Sequence, residues 1–397
     1  MAPSTAGGGW FQLERSPRAI AALDGVRALA ILLVLARHGV RPFVDADEGL
    51  LRIFGWDLAW PMLNGWFGVD LFFVLSGFLI SGSLMRHTGS GDGPHDFRRY
   101  LARRVLRIFP AYYAVLLIAA AGVVPLYTVA PERLAARLGY HLIFFQDYFA
   151  SDIVVAFWSL GVEEKFYLTA PLVWLAVAAL RRRGRTGWAY GLVAAVVLLG
   201  PALRLATHLA VAEAPDYDVF FRLFRSPFHT ALDPLYCGVL AALIYRDREK
   251  WPWTAQSRAG NALFWGGAVS VGWLLVSREM LAAPIGMFDT TAQPLVLSLG
   301  SGAMVLSLAL GHGPVRWFSG TGLFYVSKFS YSLYLVHLLV IPGMLAWIAT
   351  LPGIAVASSF ARFTIFVVPY LAASTLAAAA VFYLVEQPFL RLKERLG

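Results

Sequence analysis

The stretch "LDGVRALAILLVLARHG", residues 23–39, is mostly Ala, Leu, Ile and Val and predicts a membrane helix, yet it carries Asp24, Arg27 and His38. An α-helix turns about 100° per residue, so Arg27 and His38 lie within roughly 20° of the same azimuth. Asp24 lies within about 60° of both. Ionisable side chains inside a bilayer are costly and usually face protein or water. One face of this helix is therefore predicted to have a functional or paired role.

The rest of the chain has the composition of a membrane protein. Of its 397 residues, 58% are hydrophobic and 14% are charged, whereas soluble domains are about 25% charged. The apolar residues form runs long enough to cross a bilayer, which predicts an all-α, polytopic bundle of about ten transmembrane helices. The predicted spans are 19–40, 62–85, 105–125, 157–180, 187–210, 227–245, 260–277, 292–311, 329–350 and 362–385.

The distribution of charge orients these spans. Segments 86–107 and 181–185 are rich in arginine, so they are predicted to be cytoplasmic. The apolar patch 138–149 lies between them and cannot be an extra crossing, so it is predicted to be interfacial or re-entrant. Both termini are then cytoplasmic, and the outer connections are acidic. The outer acidic residues are Asp45, Asp47, Glu48, Glu213, Asp216 and Asp218.

The chain is predicted to have three parts: a flexible cytoplasmic lead (1–18), one transmembrane domain (19–390) and a short cytoplasmic tail (391–397). Cytoplasmic Lys and Arg account for the net charge of +9, so nucleic acid is not an expected partner. The single cysteine, Cys237, lies in an apolar run and is predicted to be buried and inert. No disulfide and no metal site are predicted.

Other predicted spans also contain polar residues. Glu163 and Glu164 lie about two turns below the outer surface. Asp70 lies in the second span, and Tyr331 and His337 lie in the ninth. Such intramembrane groups usually have a function or form an ion pair or hydrogen bond with another polar group.

Some of these features have simpler structural explanations. Asp24 and Arg27, at i and i+3, could form a helix ion pair, and His337 could be a core histidine with satisfied hydrogen bonds. Ser76 is interpreted as a helix-packing residue rather than a nucleophile. His38 is not explained in this way, and a histidine tuned by a nearby carboxylate is the usual general base at neutral pH.

A basic segment precedes the third span. In "RRYLARRVLRIFP" Arg103 and Arg107 are four residues apart, and Arg104 is adjacent to Arg103. One interpretation is topological, because cytoplasmic loops collect positive charge. The other is a stripe on one face at a helix start, where guanidinium groups and free amides bind phosphate oxygens. A polyanionic cytosolic ligand would suit that stripe.

Six segments, in order along nearly the whole chain, together resemble the membrane acyltransferase 3 family. They are "ALDGVRALAILLVLARH", "WFGVDLFFVLSGFLI", "RRVLRIFPAYY", "FWSLGVEEKFYL", "FSYSLYLVHLL" and "VEQPFLRL". The family's usual Gln in "WSLxVEEQFY" is Lys165 here. This departure keeps both carboxylates and alters the local charge pairing.

The resemblance implies an integral-membrane O-acyltransferase that moves an acyl group, by family default acetyl, from cytosolic acyl-CoA to a hydroxyl acceptor. Arg27 and His38 match the family's functional Arg and His, and Glu163 and Glu164 match its paired carboxylates. The residues that match the basic motif, proposed to bind the donor phosphates, are Arg103, Arg104 and Arg107.

The mechanism proposed from the sequence uses acyl-CoA as a substrate and no bound cofactor or metal, because a thioester is already activated. The pantetheine arm passes Arg27, and His38 deprotonates the acceptor hydroxyl. Glu163 or Glu164, and Asp24 more weakly, orient or tune the site. An acyl-histidine intermediate is the alternative.

The acceptor is left open between two classes: a cell-surface polysaccharide or lipid-linked sugar first, and a secreted small molecule such as a macrolide second. A bacterial cytoplasmic (inner) membrane is the expected location. A transporter or flippase with a buried proton relay is the competing class, but there is no sustained internal repeat and the basic loop disfavours it. A structural scaffold would not explain so many intramembrane charges.

Overall fold

The computed structural model describes residues 15, 19–44, 49–87, 94–149, 152–211, 214–277 and 285–395. It is 81% helical with almost no sheet, which confirms the all-α class. Helices of fifteen residues or more form the bundle. They are α1 (Ala21–Val40), α2 (Phe67–His87), α3 (Pro94–Ala120), α4 (Trp158–Arg182), α5 (Thr186–Ala210), α6 (Leu232–Arg246), α7 (Ser257–Val276), α8 (Gln293–Ala309), α9 (Thr321–Ala349) and α10 (Ser359–Val381).

Shorter elements connect the long helices. Strands Arg52–Ile53 and Trp56–Asp57 pair as an antiparallel hairpin. The short helices are Ala59–Leu63, Leu134–Leu142, Tyr217–Phe220, Val315–Phe318 and Gln387–Arg395. Leu134–Leu142 has nine residues and is about 13 Å long, less than half of the roughly 30 Å hydrocarbon core. This length agrees with the prediction that the patch 138–149 does not cross the membrane.

Six helical segments in the described part of the chain are long and apolar enough to cross a membrane. They are Ala59–Met85, Thr186–Ala210, Ser257–Val276, Phe288–Ala309, Thr321–Ala349 and Ser359–Lys393. Of the other long helices, α1, α3 and α4 carry more charge, and α6 has 15 residues. The chain is a membrane protein by these spans. The count of ten crossings and the cytoplasmic position of the termini stay predictions.

Two helices begin earlier than hydropathy predicts. α3 begins at Pro94 rather than at 105, so part of the predicted loop 86–107 is helical. α9 begins at Thr321 rather than at 329. Hydropathy locates the bilayer boundary, and a helix can continue past it into water. The lead 1–18 apart from Arg15, four of the outer acidic residues and the end of the tail lie outside the described residues: Asp45, Asp47, Glu48, Glu213 and 396–397.

Helix α2 lies at the centre of the bundle and packs against α1, α4, α6 and α8. Glycines bring α2 and α6 into backbone contact: a Cβ at Gly77 would overlap the Leu235 carbonyl, and one at Gly238 would overlap the Val74 carbonyl. Small residues of this kind permit close helix packing in membranes. Cys237, beside this contact, is 4% exposed, as predicted. A neighbouring face of α2 borders a cavity.

Candidate functional site

A cavity of about 370 Å³ lies between α1, α2, α3, α4 and α9. We call it the inner cavity, because the predicted topology places it toward the cytoplasm. Its apolar walls come mainly from α2, and its polar residues come from all five helices and the C-terminal segment. The polar residues discussed below are Arg27, Ser76, Arg103, Arg104, Arg107, Glu163, Tyr331 and Lys393.

The charge of the inner cavity is strongly unbalanced. Among the described residues, five cationic side chains border it, from Arg27, Lys393 and three arginines of α3 (Arg103, Arg104 and Arg107), against one carboxylate, that of Glu163. The first-span arginine and the α3 arginines, far apart in sequence, are therefore brought to one site. A partly enclosed cavity with this excess of guanidinium groups suits a ligand with several phosphates or carboxylates.

Arg103, Arg104 and Arg107 do not lie at a helix start, so that part of the prediction is wrong. Arg103 lies nine residues after Pro94, where α3 begins. Only the first four amide groups of a helix lack an internal acceptor, so α3 offers guanidinium groups here and no free amides. Arg104 is fixed by aromatic rings, with its guanidinium carbon 5.7 Å from the Tyr100 ring centre and 5.6 Å from that of Tyr167.

The two neighbouring carboxylates of α4 have different surroundings. Glu163 lines the inner cavity, and its Oε1 accepts a hydrogen bond from the Ser76 hydroxyl. Glu164 does not border the cavity, and its buried Oε1 has no hydrogen-bond partner among the described residues. Ser76 is therefore a cavity residue rather than only a packing residue. Its role depends on how α2 is rotated, and the local sequence does not show that.

Asp24 and Arg27 are partly explained by pairing. Arg27 Nη1 lies 3.6 Å from Asp24 Oδ1 and 3.4 Å from the Ser327 hydroxyl oxygen. Asp24 forms a shorter ion pair, 2.8 Å, with Arg15 Nε. Asp24 thus joins the lead to α1, and Arg27 keeps a guanidinium face on the inner cavity.

His38 lines a second cavity of about 280 Å³, here called the outer cavity. Val69 and Tyr334 border both cavities, so the two cavities are adjacent. Glu163 and Glu164 are predicted from the sequence to lie near the outer surface and to tune the site of His38, but the structure places Glu163 on the inner cavity. The polar residues of the outer cavity are Arg37, His38, Arg41, Tyr217, Asp218, Arg225 and Tyr334.

His337 lies next to His38, with the two ring centres 5.1 Å apart. It is fully buried, and its Nδ1 lies 2.8 Å from the Tyr334 carbonyl oxygen. Nearby, Tyr331 donates a hydrogen bond of 2.8 Å to the Ile108 carbonyl on α3. The ninth span therefore contributes to both cavities, through Tyr331 on the inner side and through Tyr334 at the boundary.

Asp70 is a structural ion-pair residue. Both its carboxylate oxygens lie 2.8 Å from Arg225 guanidinium nitrogens, and both residues are buried. The Arg225 guanidinium lies over the rings of Trp66 and Trp158, at 4.5 and 5.1 Å. Sequence analysis missed Arg225, although an arginine among aromatic residues at 220–228 is a detectable signal. The pair fixes a wall of the outer cavity.

Lys165, the departure from the family pattern, has a local partner. Its Nζ lies 2.6 Å from Asp147 Oδ1 and also donates to the carbonyls of Phe144 and Gly161. Asp147 belongs to the patch 138–149, which is predicted not to cross the membrane. Lys165 therefore joins that patch to α4, two residues after the cavity carboxylate Glu163.

In the described residues a strongly cationic cavity adjoins one that contains a histidine. The family profile described as an acyltransferase domain (acyltransferase 3) matches residues 20–384. The chain belongs to this acyltransferase family. No solved structure matches the chain.

The peptidoglycan O-acetyltransferase OatA of Listeria monocytogenes is 28% identical over 174 residues, which are 39% of this chain and 24% of that protein. YrhL of Bacillus subtilis, whose name gives it the same activity provisionally, is 31% identical over 168 residues. These residues are again 39% of this chain and 24% of that protein. Nodulation protein 10 of Rhizobium leguminosarum bv. viciae is 27% identical over 367 residues, 83% of each chain. The chain thus matches about a quarter of the length of the first two relatives and most of the third.

Proposed function

We propose that this protein transfers an acyl group, by family default acetyl, from cytosolic acyl-CoA to a hydroxyl group of a carbohydrate acceptor. The observation that carries this proposal is the pair of adjoining cavities: one surrounded by five cations, one containing His38, with Val69 and Tyr334 common to both. In this proposal the polyanionic donor and the hydroxyl acceptor occupy separate cavities, and their reacting atoms meet at the boundary between them.

The inner cavity is the donor site in this proposal. The phosphates of coenzyme A lie against the α3 arginines Arg103, Arg104 and Arg107, where guanidinium forks match phosphate geometry. The pantetheine arm extends past Arg27 toward Tyr334. Glu163 and its Ser76 partner offset part of the positive charge, so Glu163 acts on the donor side of the site. Glu164 and Asp24 have a weaker effect, through the electrostatic field that their charges create at the site.

The reaction takes place at the boundary between the cavities. His38 accepts the proton of the acceptor hydroxyl, whose oxygen attacks the thioester carbon. The carbon–sulfur bond breaks, and the coenzyme A thiolate receives the proton from His38. A thioester is already activated, so this proton transfer and stabilisation of the oxyanion are the main demands on the protein. In the alternative, His38 is acylated first and then passes the acyl group to the acceptor.

A cell-surface polysaccharide or a lipid-linked sugar is the preferred acceptor, and a bacterial inner membrane is the proposed location. The peptidoglycan activity named for the Listeria relative supports this acceptor class. The outer cavity combines arginines with the aromatic side chains of Tyr217 and Trp158, which suits a polar ligand with apolar faces. A secreted small molecule such as a macrolide is the second candidate.

The test uses vesicles that contain the protein, radiolabelled acetyl-CoA and a cell-envelope acceptor extract. His38→Ala should nearly abolish label transfer at normal expression. His208→Ala is the matched control, because His208 lies on α5 near Thr290 and is not a lining residue of either cavity. Normal transfer by His38→Ala would refute the proposal. A wild-type protein that leaves acetyl-CoA unconsumed would instead favour the transporter class.

A further inference from the structure

His337 is a buried group beside His38 that has no part in the proposed mechanism. It lies on α9, and its side chain is 0% exposed. Its ring is 5.1 Å from that of His38, with an interplanar angle of 50°. It also contacts the ring of Tyr334, 5.8 Å away, and Tyr334 borders both cavities. His337 therefore lies directly behind the wall that contains His38.

The hydrogen bonds of His337 define its tautomer. Nδ1 lies 3.1 Å from the Leu333 carbonyl oxygen and 2.8 Å from that of Tyr334. Carbonyl oxygens only accept hydrogen bonds, so Nδ1 carries the proton. In the neutral ring, Nε2 is then an acceptor with a free lone pair.

That acceptor has no partner. His337 Nε2 is buried and makes no hydrogen bond within the described residues. A buried polar atom without a partner loses hydration without compensation, at a cost of about 1–3 kcal/mol. A donor that reaches Nε2 would remove this cost.

His38 is close enough to be that donor. Two imidazole rings joined by a hydrogen bond of about 3 Å between facing nitrogens have ring centres roughly 5 Å apart. The observed separation is 5.1 Å. Rotation of the half-buried His38 ring, without movement of either helix, can bring an N–H of His38 onto His337 Nε2.

We propose that His337 is a positioning residue, which accepts a hydrogen bond from one ring nitrogen of His38. This bond fixes the tautomer of His38 and leaves its other nitrogen unprotonated and directed into the outer cavity. A partner of this kind is how a catalytic histidine is usually held in its active tautomer. The inference rests on the proposed role of His38 as the base.

Two substitutions separate this role from simple packing. Gln at position 337 can place an amide oxygen near the position of Nε2, whereas Asn is shorter and leaves that position empty. Neither change strands Leu333 or Tyr334, because their carbonyls lie inside the α9 helix, where backbone amides bond to them. The variants His337→Gln and His337→Asn are therefore matched in polarity and charge. They differ in whether the amide oxygen reaches the position of Nε2.

His337→Asn should lower kcat at least roughly tenfold, since loss of the partner that fixes a histidine tautomer can cost far more. The KM for acetyl-CoA should be unchanged, because His337 does not border the inner cavity. His337→Gln should recover a large part of kcat. In a His38→Ala background, His337→Asn should cause no further loss.

Three results would overturn the inference while the proposed function stands: equal kcat for the Asn variant and the wild type, equal losses for Asn and Gln, or a loss seen only in KM. In each of these cases His38→Ala would still be inactive. If His38→Ala is active, the proposed function fails first, so the two failures are distinguishable. Thermal unfolding of both position-337 variants in detergent provides the check on folding.

Discussion

Replacement of Arg103 or Arg107 by Gln should weaken donor binding and leave the protein folded. Both residues line the inner cavity with three other cations and one carboxylate. Gln keeps part of the side-chain stem and removes one positive charge. Because the wall is already crowded with positive charge, this removal relieves repulsion in the unliganded protein. The main cost should therefore appear when a polyanion binds.

The magnitude follows from the number of bonds that each guanidinium group can make. A hydrogen bond to a charged group contributes about 1.5–3 kcal/mol, which corresponds to a roughly 10- to 150-fold rise in Kd for acetyl-CoA. Arg104 is a less suitable target. Its guanidinium group packs over Tyr100 and Tyr167, so its replacement would mix lost packing with lost binding.

Equilibrium binding of radiolabelled acetyl-CoA to purified protein measures this effect. Arg98→Gln is the matched control, because Arg98 is on the same helix, is exposed and is not a lining residue of the inner cavity. 3′-Dephospho-CoA adds a second comparison, since it lacks one phosphate and should be affected less by loss of the arginine that binds that phosphate. If Arg103→Gln and Arg107→Gln both bind acetyl-CoA with wild-type affinity, the arginines are topological charges and the donor site is wrong.

Three further predictions concern the stability of the folded protein, which thermal unfolding in detergent measures. Lys165→Gln should destabilise the protein by about 3–5 kcal/mol because it leaves Asp147 buried and unpaired, and Asp147→Asn in the same chain should recover most of this; no recovery would contradict the pairing. Asp70→Asn should cost a similar amount by stranding Arg225, and an unchanged unfolding temperature would contradict that ion pair. Burial alone would raise the pKa of Asp247, but hydrogen bonds from Arg181 and Tyr190 outweigh burial and hold that pKa below its usual range. A lowered pKa stabilises the fold above the pKa of the unfolded chain, so the advantage of the wild type over Asp247→Asn should be full at pH 7 and decline as the pH falls below about 4; an advantage of the same size at pH 7 and at pH 2 would contradict it.

The apolar runs predicted the position of every long helix, because a helix that crosses the bilayer needs an apolar run that matches the thickness of the hydrocarbon core. The azimuths of Arg27 and His38 were also predictable, since they depend only on helix geometry. Helix limits were less predictable: α3 continues to Pro94 because amphipathic turns remain helical in water.

The partners of the polar residues were not predictable from local patterns. Asp70 pairs with Arg225, 155 residues away, and Ser76 meets Glu163 across an interhelical contact. Both depend on how α2 is rotated against its neighbours, which glycine contacts with α6 help to set. For the same reason, the division of the site into two cavities could not be read from residues that share one face of α1.

A structure of the protein with a non-reactive acetyl-CoA analogue is the most direct test of the account, because its central claim is that the two cavities are the donor and acceptor halves of one site. The account predicts phosphate oxygens within hydrogen-bond distance of Arg103, Arg104 or Arg107, and the acyl carbon beside Tyr334, facing His38. An analogue bound outside the inner cavity, or with its acyl end directed away from His38, would contradict it.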